Sequence, residues 1–301
     1  MPIEFHQIHP HFVAEVSGVD LSAPITSEEA QIIEDGINQH GVLVFREQNI
    51  SDEQQASFSR HFGKLEVPGL KSNITKAKDR RLGKYMADIS NLDRGQNILA
   101  GDSRQRMFNL GNRFWHSDSS YRSVPSKFSL LSARVVPHHG GETQFADMCA
   151  AYDALDEKTK REIDGLICEH SLLYSRGRLG FGEFTKEEKA NFKPVHQTLV
   201  RHHRATGRRS LFLSAHIGRI VGWSTPVARV LLEELTEFAT RPEFVYTHRW
   251  RPFDLVIWDN RRTMHRACRF DDTTEVRDMR RTTVAGETPT VTGQLEELAR
   301  A

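Results

Sequence analysis

The sequence has few cysteines and no long apolar run. Its 301 residues include three cysteines, Cys149, Cys168 and Cys268, and no Cys-x-x-Cys pair. This odd, scattered set argues against a disulfide framework and against a structural zinc site. We interpret all three as free thiols and expect a reducing, cytoplasmic location. No membrane is expected, because no apolar segment could span a bilayer and residues 1–10 do not resemble a signal peptide.

The sequence also lacks an excess of either charge. Lys and Arg number 41 against 40 Asp and Glu, which gives a formal net charge of +1. No overall field therefore favours nucleic acid or an acidic membrane. The basic tract RHHRATGRR (201–209) has no nucleic-acid-binding module around it, and we interpret it as a solvated hairpin. A nucleophilic hydrolase is disfavoured because no G-x-S-x-G motif is present.

No repeat, low-complexity tract or Pro/Gly/Ser-rich linker divides the chain, so we predict a single domain over residues 1–301. Strand patterns dominate, which predicts a mostly β protein with flanking helices (α+β). The clearest strands are GVLVFR (41–46), YMADIS (85–90) and FSLLSARVVP (128–137). A further hairpin, HQTLVRHH and RRSLFLSAH, is predicted around the turn at 205–207.

Capping signals mark several helix boundaries. Thr26 and Glu29 form a capping-box pattern, and Gly41 is a typical helix stop. Helices are predicted at 26–40, from Ser51 to near Gly63, at about 148–165 and at about 226–240. Segments 64–84 and 92–111 show little periodicity, so we interpret them as loops that form the substrate entrance.

One of the 15 histidines is followed two residues later by a carboxylate, in His116-Ser117-Asp118. In a strand, residues i and i+2 point to the same face, so the imidazole and the carboxylate could reach one metal ion. They would be two ligands of the facial triad of non-haem Fe(II) oxygenases, whose third ligand is a distant histidine. On this motif alone, a hydrogen-bonded core histidine is the simpler interpretation.

The segment DLVIWDNRRTMHRACRF (254–270) supplies a candidate third ligand, because a strand ends in a turn that His265 follows. Further along, the even spacing of Arg277 and Arg281 places both guanidiniums on one strand face. Two arginines that line a cavity are unfavourable unless they meet anions, and their planar donors fit carboxylates. The alternative interpretation is a solvated basic strand.

Four segments together resemble the α-ketoglutarate-dependent taurine and aryloxyalkanoate dioxygenase family. They are GVLVFREQNISDEQQASFSRHFGKLE (41–66), WHSDSSYR (115–122), VVPHHGGETQFADMCAAYDAL (135–155) and DLVIWDNRRTMHRACRFDDTTEVRDMRRTTV (254–284), in the family's order and spacing. The resemblance implies a double-stranded β-helix, a jelly-roll-like barrel. It also implies Fe(II) as the metal, α-ketoglutarate and O2 as cosubstrates, and stimulation by ascorbate.

The resemblance assigns roles to individual positions. It implies metal ligation by His116, Asp118 and His265. It implies α-ketoglutarate binding by Thr143, Trp258 and Arg277. It implies substrate binding by Arg281, Lys71, Ser117 and Asn112. Arg277 follows His265 by twelve residues where relatives have eleven, and we infer one extra residue in the turn DDTTE (271–275). Residues 92–100 lack a lysine found near the substrate in similar enzymes, which leaves the substrate open.

The resemblance implies hydroxylation of an aryloxyacetate-type carboxylic acid next to its ether oxygen, with release of a phenol and glyoxylate besides succinate and CO2. Asp118 supports hydroxylation, because family members that halogenate lack this carboxylate. The alternative is a sulfonate or alkyl-sulfate dioxygenase of the same family, since Arg281 suits either anion. Lys71 and the likeness around WHSDSSYR (115–122) favour the aryloxyacetate. A non-catalytic barrel that binds a small carboxylate is a second alternative. The expected partners are small molecules and further copies of the chain.

Overall fold

The computed structural model describes residues 2–69, 74, 78 and 80–292. These residues form fifteen β-strands and eight α-helices. The strands are β1 (Glu4–Gln7), β2 (Ala14–Ser17), β3 (Val42–Phe45), β4 (Ala87–Asp88), β5 (Phe128–Val135), β6 (Thr143–Asp147), β7 (Ile167–His170), β8 (Val195–Thr198), β9 (Val200–His203), β10 (Arg208–Leu211), β11 (Ile217–Ile220), β12 (Val245–His248), β13 (Leu255–Asp259), β14 (Thr263–Ala267) and β15 (Asp278–Thr283). The helices are α1 (Ser27–His40), α2 (Asp52–Arg60), α3 (Arg104–Asn109), α4 (Met148–Ala154), α5 (Glu157–Ile163), α6 (Leu172–Gly177), α7 (Lys186–Asn191) and α8 (Thr225–Ala239). A mostly β architecture with flanking helices is therefore confirmed.

The described strands form four sheets. The large sheet has the order β1-β2-β3-β13-β5-β15-β4, and every pair in it is antiparallel except β2 with β3. Three smaller sheets have the orders β12-β6-β14, β11-β7-β8 and β10-β9. The central strand β13, LVIWD, is buried along its whole length, as its unbroken apolar run predicts.

The large sheet packs against the β12-β6-β14 sheet. Phe145 of β6 and Trp258 of β13 have ring centroids 5.5 Å apart. The rings of Trp258 and of His265 on β14 lie 4.7 Å apart. The interior between these two sheets is therefore where the predicted site residues of β6, β13 and β14 meet.

The first two helices cover one face of the large sheet. Ile33 and Ile37 of α1 and Phe58 of α2 belong to the same buried cluster as Leu43 and Leu130 of the sheet. Helix α8 packs in a separate cluster, with α4, β11 and the strands around them.

The capping predictions for α1 are confirmed. The Thr26 side chain accepts a hydrogen bond from the Glu29 backbone N–H, and the Glu29 carboxylate accepts one from the Thr26 backbone N–H. Gly41 ends the helix in the left-handed conformation, with φ of 72°.

Four element predictions need correction. The helix predicted at 148–165 is two helices, because Asp156 caps a new helix through the backbone N–H groups of Lys158 and Thr159. The segment 92–111 is not all loop, since Ser103 caps α3. The strand predicted at 85–90 is only Ala87–Asp88. In the predicted hairpin, β9 and β10 pair as expected, but β8 joins a different sheet.

The three cysteines are free, and Cys149 and Cys168 are buried. Within the described part of the chain, the longest apolar helices fall short of what a membrane crossing requires. The single domain over residues 1–301 stays a prediction.

Candidate active site

The structure brings His116, Asp118 and His265 together. Their nearest ligand atoms all lie within 4.8 Å of one another, and all three residues are buried. His116 Nε2 is 3.9 Å from Asp118 Oδ1, and His265 Nε2 is 3.7 Å from Asp118 Oδ2. Two imidazole nitrogens and one carboxylate, arranged around one point, match the donor set of a facial triad.

The way in which the chain builds this group differs from the sequence prediction. His116 forms an isolated antiparallel bridge with His265, while Asp118 lies in a turn. The alternation of side chains along a strand therefore does not explain why His116 and Asp118 converge, and that part of the prediction is wrong. The next residue, Ser119, has a positive φ of 55°.

A buried hydrogen-bond network holds Asp118. Ser129 Oγ donates to Asp118 Oδ2 at 2.7 Å, and Arg281 Nη1 donates to Oδ1 at 2.7 Å. The Asp118 backbone N–H donates to Asn260 Oδ1, which also accepts from Trp258 Nε1. Asn260 Nδ2 in turn donates to Ser129 Oγ at 3.0 Å. Both carboxylate oxygens of Asp118 and its backbone N–H therefore have hydrogen-bond partners, which makes the position of the carboxylate well defined.

Sequence analysis missed Ser129 and Asn260. Asn260 stands between Trp258 and His265 in the motif WDNRRTMH. This position between two predicted site residues was the one feature of the sequence that could have indicated its role. Ser129 gave none, because a serine in an apolar strand has no visible partner until strands β5 and β13 are paired.

The electrostatics favour the protonation states that a metal needs. Burial lowers the pKa of both His116 and His265, so both imidazoles are neutral at neutral pH. Burial alone would raise the pKa of Asp118, but the Arg281 guanidinium and the hydrogen bond from Ser129 hold it well below its usual range. His116 Nδ1 lies 2.8 Å from the Phe114 carbonyl oxygen, which must accept from an Nδ1–H. That tautomer leaves the lone pair on Nε2, the atom that faces Asp118.

A cavity of about 110 Å³ adjoins the group. Most of the predicted site residues line it: His116, His265, Thr143, Trp258, Arg277, Arg281 and Asn112. Ser117 does not line it, because its side chain is buried and its hydroxyl donates to the Asn260 carbonyl at 2.8 Å. Lys71 lies outside the described residues.

Arg277 is the most isolated charge on this cavity. The residue is only 6% exposed, and its donors reach the carbonyl oxygens of Gly141 at 3.2 Å and Ile89 at 3.4 Å. Among the described residues, Arg277 has no carboxylate partner. Burial lowers its pKa to about 10, which still leaves the guanidinium charged at neutral pH. A buried cation of this kind fits an anionic ligand.

Arg281 lies between two cavities. It lines the first cavity and also a second one of about 210 Å³, whose wall includes Glu66, Tyr121 and Arg122. Its contact with Asp118 places the guanidinium directly beside the histidine and carboxylate group.

Comparison with known proteins identifies the class. Residues 4–283 match the family model described as taurine catabolism dioxygenase TauD, TfdA family. The chain belongs to this family, and it is a dioxygenase, as the sequence predicted.

Two curated relatives and one solved structure are similar to this chain over most of its length. The chain is 41% identical, over 95% of each chain, to an α-ketoglutarate-dependent 2,4-dichlorophenoxyacetate dioxygenase of Burkholderia sp. (strain RASC). It is 36% identical to an (S)-phenoxypropionate/α-ketoglutarate dioxygenase of Sphingobium herbicidovorans, over 83% of each chain. The crystal structure of AAD-2 in complex with Mn(II) and N-oxalylglycine is similar at a TM-score of 0.94 and 56% identity, and covers 97% of this chain and 100% of that one.

Proposed function

We propose that this chain is an Fe(II)- and α-ketoglutarate-dependent dioxygenase that hydroxylates an aryloxyacetate-type acid next to its ether oxygen. The unstable hemiacetal product would release a phenol and glyoxylate, alongside succinate and CO2. The observation that carries the proposal is a single cavity lined by two arginines and by both histidines of a buried His-Asp-His group. The relatives that act on phenoxyacetate and phenoxypropionate support this substrate class.

His116, Asp118 and His265 would hold the iron. The donor set fits, because the histidines are neutral and the carboxylate is ionised. Bound iron would supply the activation of O2, coupled to the oxidative decarboxylation of α-ketoglutarate. The three protein ligands would leave positions for cosubstrates on the cavity side.

Arg277 would bind the far carboxylate of α-ketoglutarate, with Thr143 beside it and Trp258 against the chain of the cosubstrate. Arg277 supports this role because it is buried, charged and has no carboxylate partner among the described residues. Thr143 Oγ1 accepts a hydrogen bond from Trp250 Nε1 at 3.0 Å, which leaves its own proton to donate to a carboxylate. N-oxalylglycine, which AAD-2 binds, has an oxalyl end and a far carboxylate like those of α-ketoglutarate.

Arg281 would bind the substrate carboxylate, with Lys71, Asn112 and Ser117 as the further residues assigned to the substrate. Arg281 already touches Asp118, so a carboxylate on the same guanidinium holds the adjacent carbon close to the metal position. That carbon is the one to be hydroxylated, and anchoring it is the positioning that the reaction needs. Ser117 would contribute through its hydrogen bond to Asn260, since its side chain is buried away from the cavity.

The large sheet and the β12-β6-β14 sheet would be the two faces of a jelly-roll-like double-stranded β-helix. Their direct packing through Phe145 and Trp258 supports this arrangement. A homo-oligomer, a cytoplasmic location and the absence of nucleic-acid partners stay predictions.

The test is succinate formation by protein loaded anaerobically with iron, then given α-ketoglutarate, ascorbate and O2. The substrates would be phenoxyacetate, 2,4-dichlorophenoxyacetate, taurine and an alkyl sulfate. We expect the phenoxyacetates to stimulate succinate formation and to release a phenol. Stimulation by the sulfur acids alone would support the alternative substrate class. Asp118→Ala is the control and should abolish the reaction.

If no condition gives succinate although iron is bound, the oxygenase proposal is wrong, and a protein that only binds a carboxylate becomes the better description. Stabilisation of the protein against thermal unfolding by N-oxalylglycine, without succinate formation, would support that description.

A further inference from the structure

The residue that follows Asp118 has an unusual backbone conformation. Ser119 has φ of 55°, in the left-handed region that L side chains rarely adopt. It is 7% exposed, so the conformation belongs to the folded interior rather than to a surface loop. Such a conformation persists only where neighbouring groups hold it.

The side chain of Ser119 is hydrogen-bonded to Glu66. Ser119 Oγ donates to Glu66 Oε2 at 2.9 Å, and Arg122 Nη1 lies 3.0 Å from the same oxygen. The Arg122 backbone N–H also donates to the Ser119 carbonyl at 2.9 Å, which closes the turn. The hydrogen bond from Ser119 is charge-assisted and shielded from water, since the Glu66 side chain is only 8% exposed.

Glu66 has a fixed position of its own. Its backbone N–H donates to the Thr283 carbonyl at 2.8 Å, and Leu65 bridges Val284. The backbone of Glu66 is therefore anchored to the end of β15, the strand that carries Arg281. Glu66 makes no hydrogen bond to Asp118, and the hydrogen-bonded connection between them runs through Ser119.

We propose that Glu66 is a positioning residue that keeps Ser119 left-handed and so aims the Asp118 carboxylate at the metal. The proposal rests on the proposed function in one respect, namely that His116, Asp118 and His265 bind a divalent metal. Ser129 and Arg281 orient the carboxylate itself, whereas Glu66 fixes the backbone that bears it.

The test is a double-mutant cycle on Mn(II) affinity, measured from the electron paramagnetic resonance signal of free Mn(II). Glu66→Ala should weaken Mn(II) binding about 10-fold, because Ser119 would lose the hydrogen bond that supports the backbone next to Asp118. In the Ser119→Gly background, Glu66→Ala should change the affinity less than about twofold, because glycine adopts the left-handed conformation without support. The effect of Glu66→Ala on Mn(II) affinity should therefore depend on the residue at position 119. A general loss of stability would not produce this dependence.

Glu15→Ala is the matched control. It also removes a Glu–Arg contact of 3.0 Å, with Arg46, but it supports no left-handed residue beside a ligand, and it should leave Mn(II) affinity unchanged. Glu66→Gln keeps the side-chain shape and serves if Glu66→Ala does not fold. It should weaken binding in the same direction, by about 3-fold.

The inference is overturned if the Glu66 variants bind Mn(II) like the wild type, or if they lose equal affinity with Ser119 and with Gly at position 119. A wild-type protein that binds no Mn(II) would instead overturn the metal site, and both proposals with it. If the wild type binds Mn(II) tightly and the Glu66 variants bind it equally well, the proposed function is unaffected and only the role of Glu66 is wrong.

Discussion

The main chains of His116 and His265 are paired, although the two residues lie far apart in the sequence. The His116 N–H donates to the His265 carbonyl at 3.0 Å, and the His265 N–H donates to the His116 carbonyl at 2.9 Å. The ring centroids are 4.2 Å apart. The backbone thus sets the separation of the two imidazoles. The third member, Asp118, lies in a turn, so we expect the site to be most sensitive to the residues that orient Asp118.

Ser129→Ala should weaken metal binding about 10-fold. The substitution removes the hydroxyl that donates to Asp118 Oδ2 at 2.7 Å and accepts from Asn260. The Mn(II) dissociation constant is the measurement. Ser132→Ala is the control, because it deletes another fully buried hydroxyl of the same strand, bonded to Gln55 rather than to the site. Equal loss of affinity in both variants would contradict the role of Ser129.

Arg277→Gln should raise the KM for α-ketoglutarate by at least about 30-fold, since losing one partner of a buried charge pair costs about 2 kcal/mol or more. Mn(II) affinity in the absence of α-ketoglutarate should stay nearly unchanged, because Arg277 makes no contact with the three ligands. Steady-state kinetics and Mn(II) titration measure the two quantities.

Arg280→Gln is the matched control for Arg277. Arg280 lies on β15, which begins one residue after Arg277, but it pairs with Asp52 at 2.7 Å and does not line the cavity. Its variant should keep the wild-type KM for α-ketoglutarate. A similar rise in KM for both variants would mean that the change acts through the strand rather than through the cosubstrate.

Arg281→Gln should raise the KM for phenoxyacetate by about 30-fold, and that for α-ketoglutarate much less. The physical reason is that Arg281 would bind the substrate carboxylate at the edge of the metal site, where it already contacts Asp118. Both constants come from initial rates of succinate formation. A larger rise in the KM for α-ketoglutarate would assign Arg281 to the cosubstrate instead.

His170→Leu should make the protein more resistant to acid. His170 is fully buried, and neither ring nitrogen has a hydrogen-bond partner within the described structure. Burial, helped by Arg201, lowers its pKa from 6.5 to about 3. Between these values the unfolded chain binds a proton that the folded chain does not bind. The stability that depends on the neutral form is complete above pH 6.5 and is lost as the pH falls towards 3.

The leucine variant lacks this dependence. The free energy of unfolding of the variant minus that of the wild type should increase by about 2 kcal/mol when the pH is lowered from 7 to 5. The increase is about 1.4 kcal/mol per pH unit below pH 6.5. Urea unfolding at both pH values measures the difference. His6→Leu, at an exposed position, is the control and should show no comparable gain. If the free energies of unfolding of His170→Leu and wild type differ by the same amount at both pH values, the argument is refuted.

The sequence alone was enough for the family, the enzyme class and the identity of the clustered residues. Its motifs are local and ordered, and capping signals such as Thr26 with Glu29 act over a few residues, so both can be recognised without a fold. The resemblance selected His116, Asp118 and His265 from a histidine-rich chain, and the structure places these three together. Their assignment as metal ligands stays a proposal until metal binding is measured.

Tertiary structure decided how these residues are held. Asp118 reaches the histidines from a turn and not from a strand, because Glu66 and Arg122 support a left-handed Ser119. The partners Ser129 and Asn260 come from strand pairing, which joins residues that no local pattern connects. Whether a buried arginine meets a carboxylate of the protein or faces a cavity depends likewise on the packing of separate segments. That is why the isolation of Arg277 could be seen only in the folded chain.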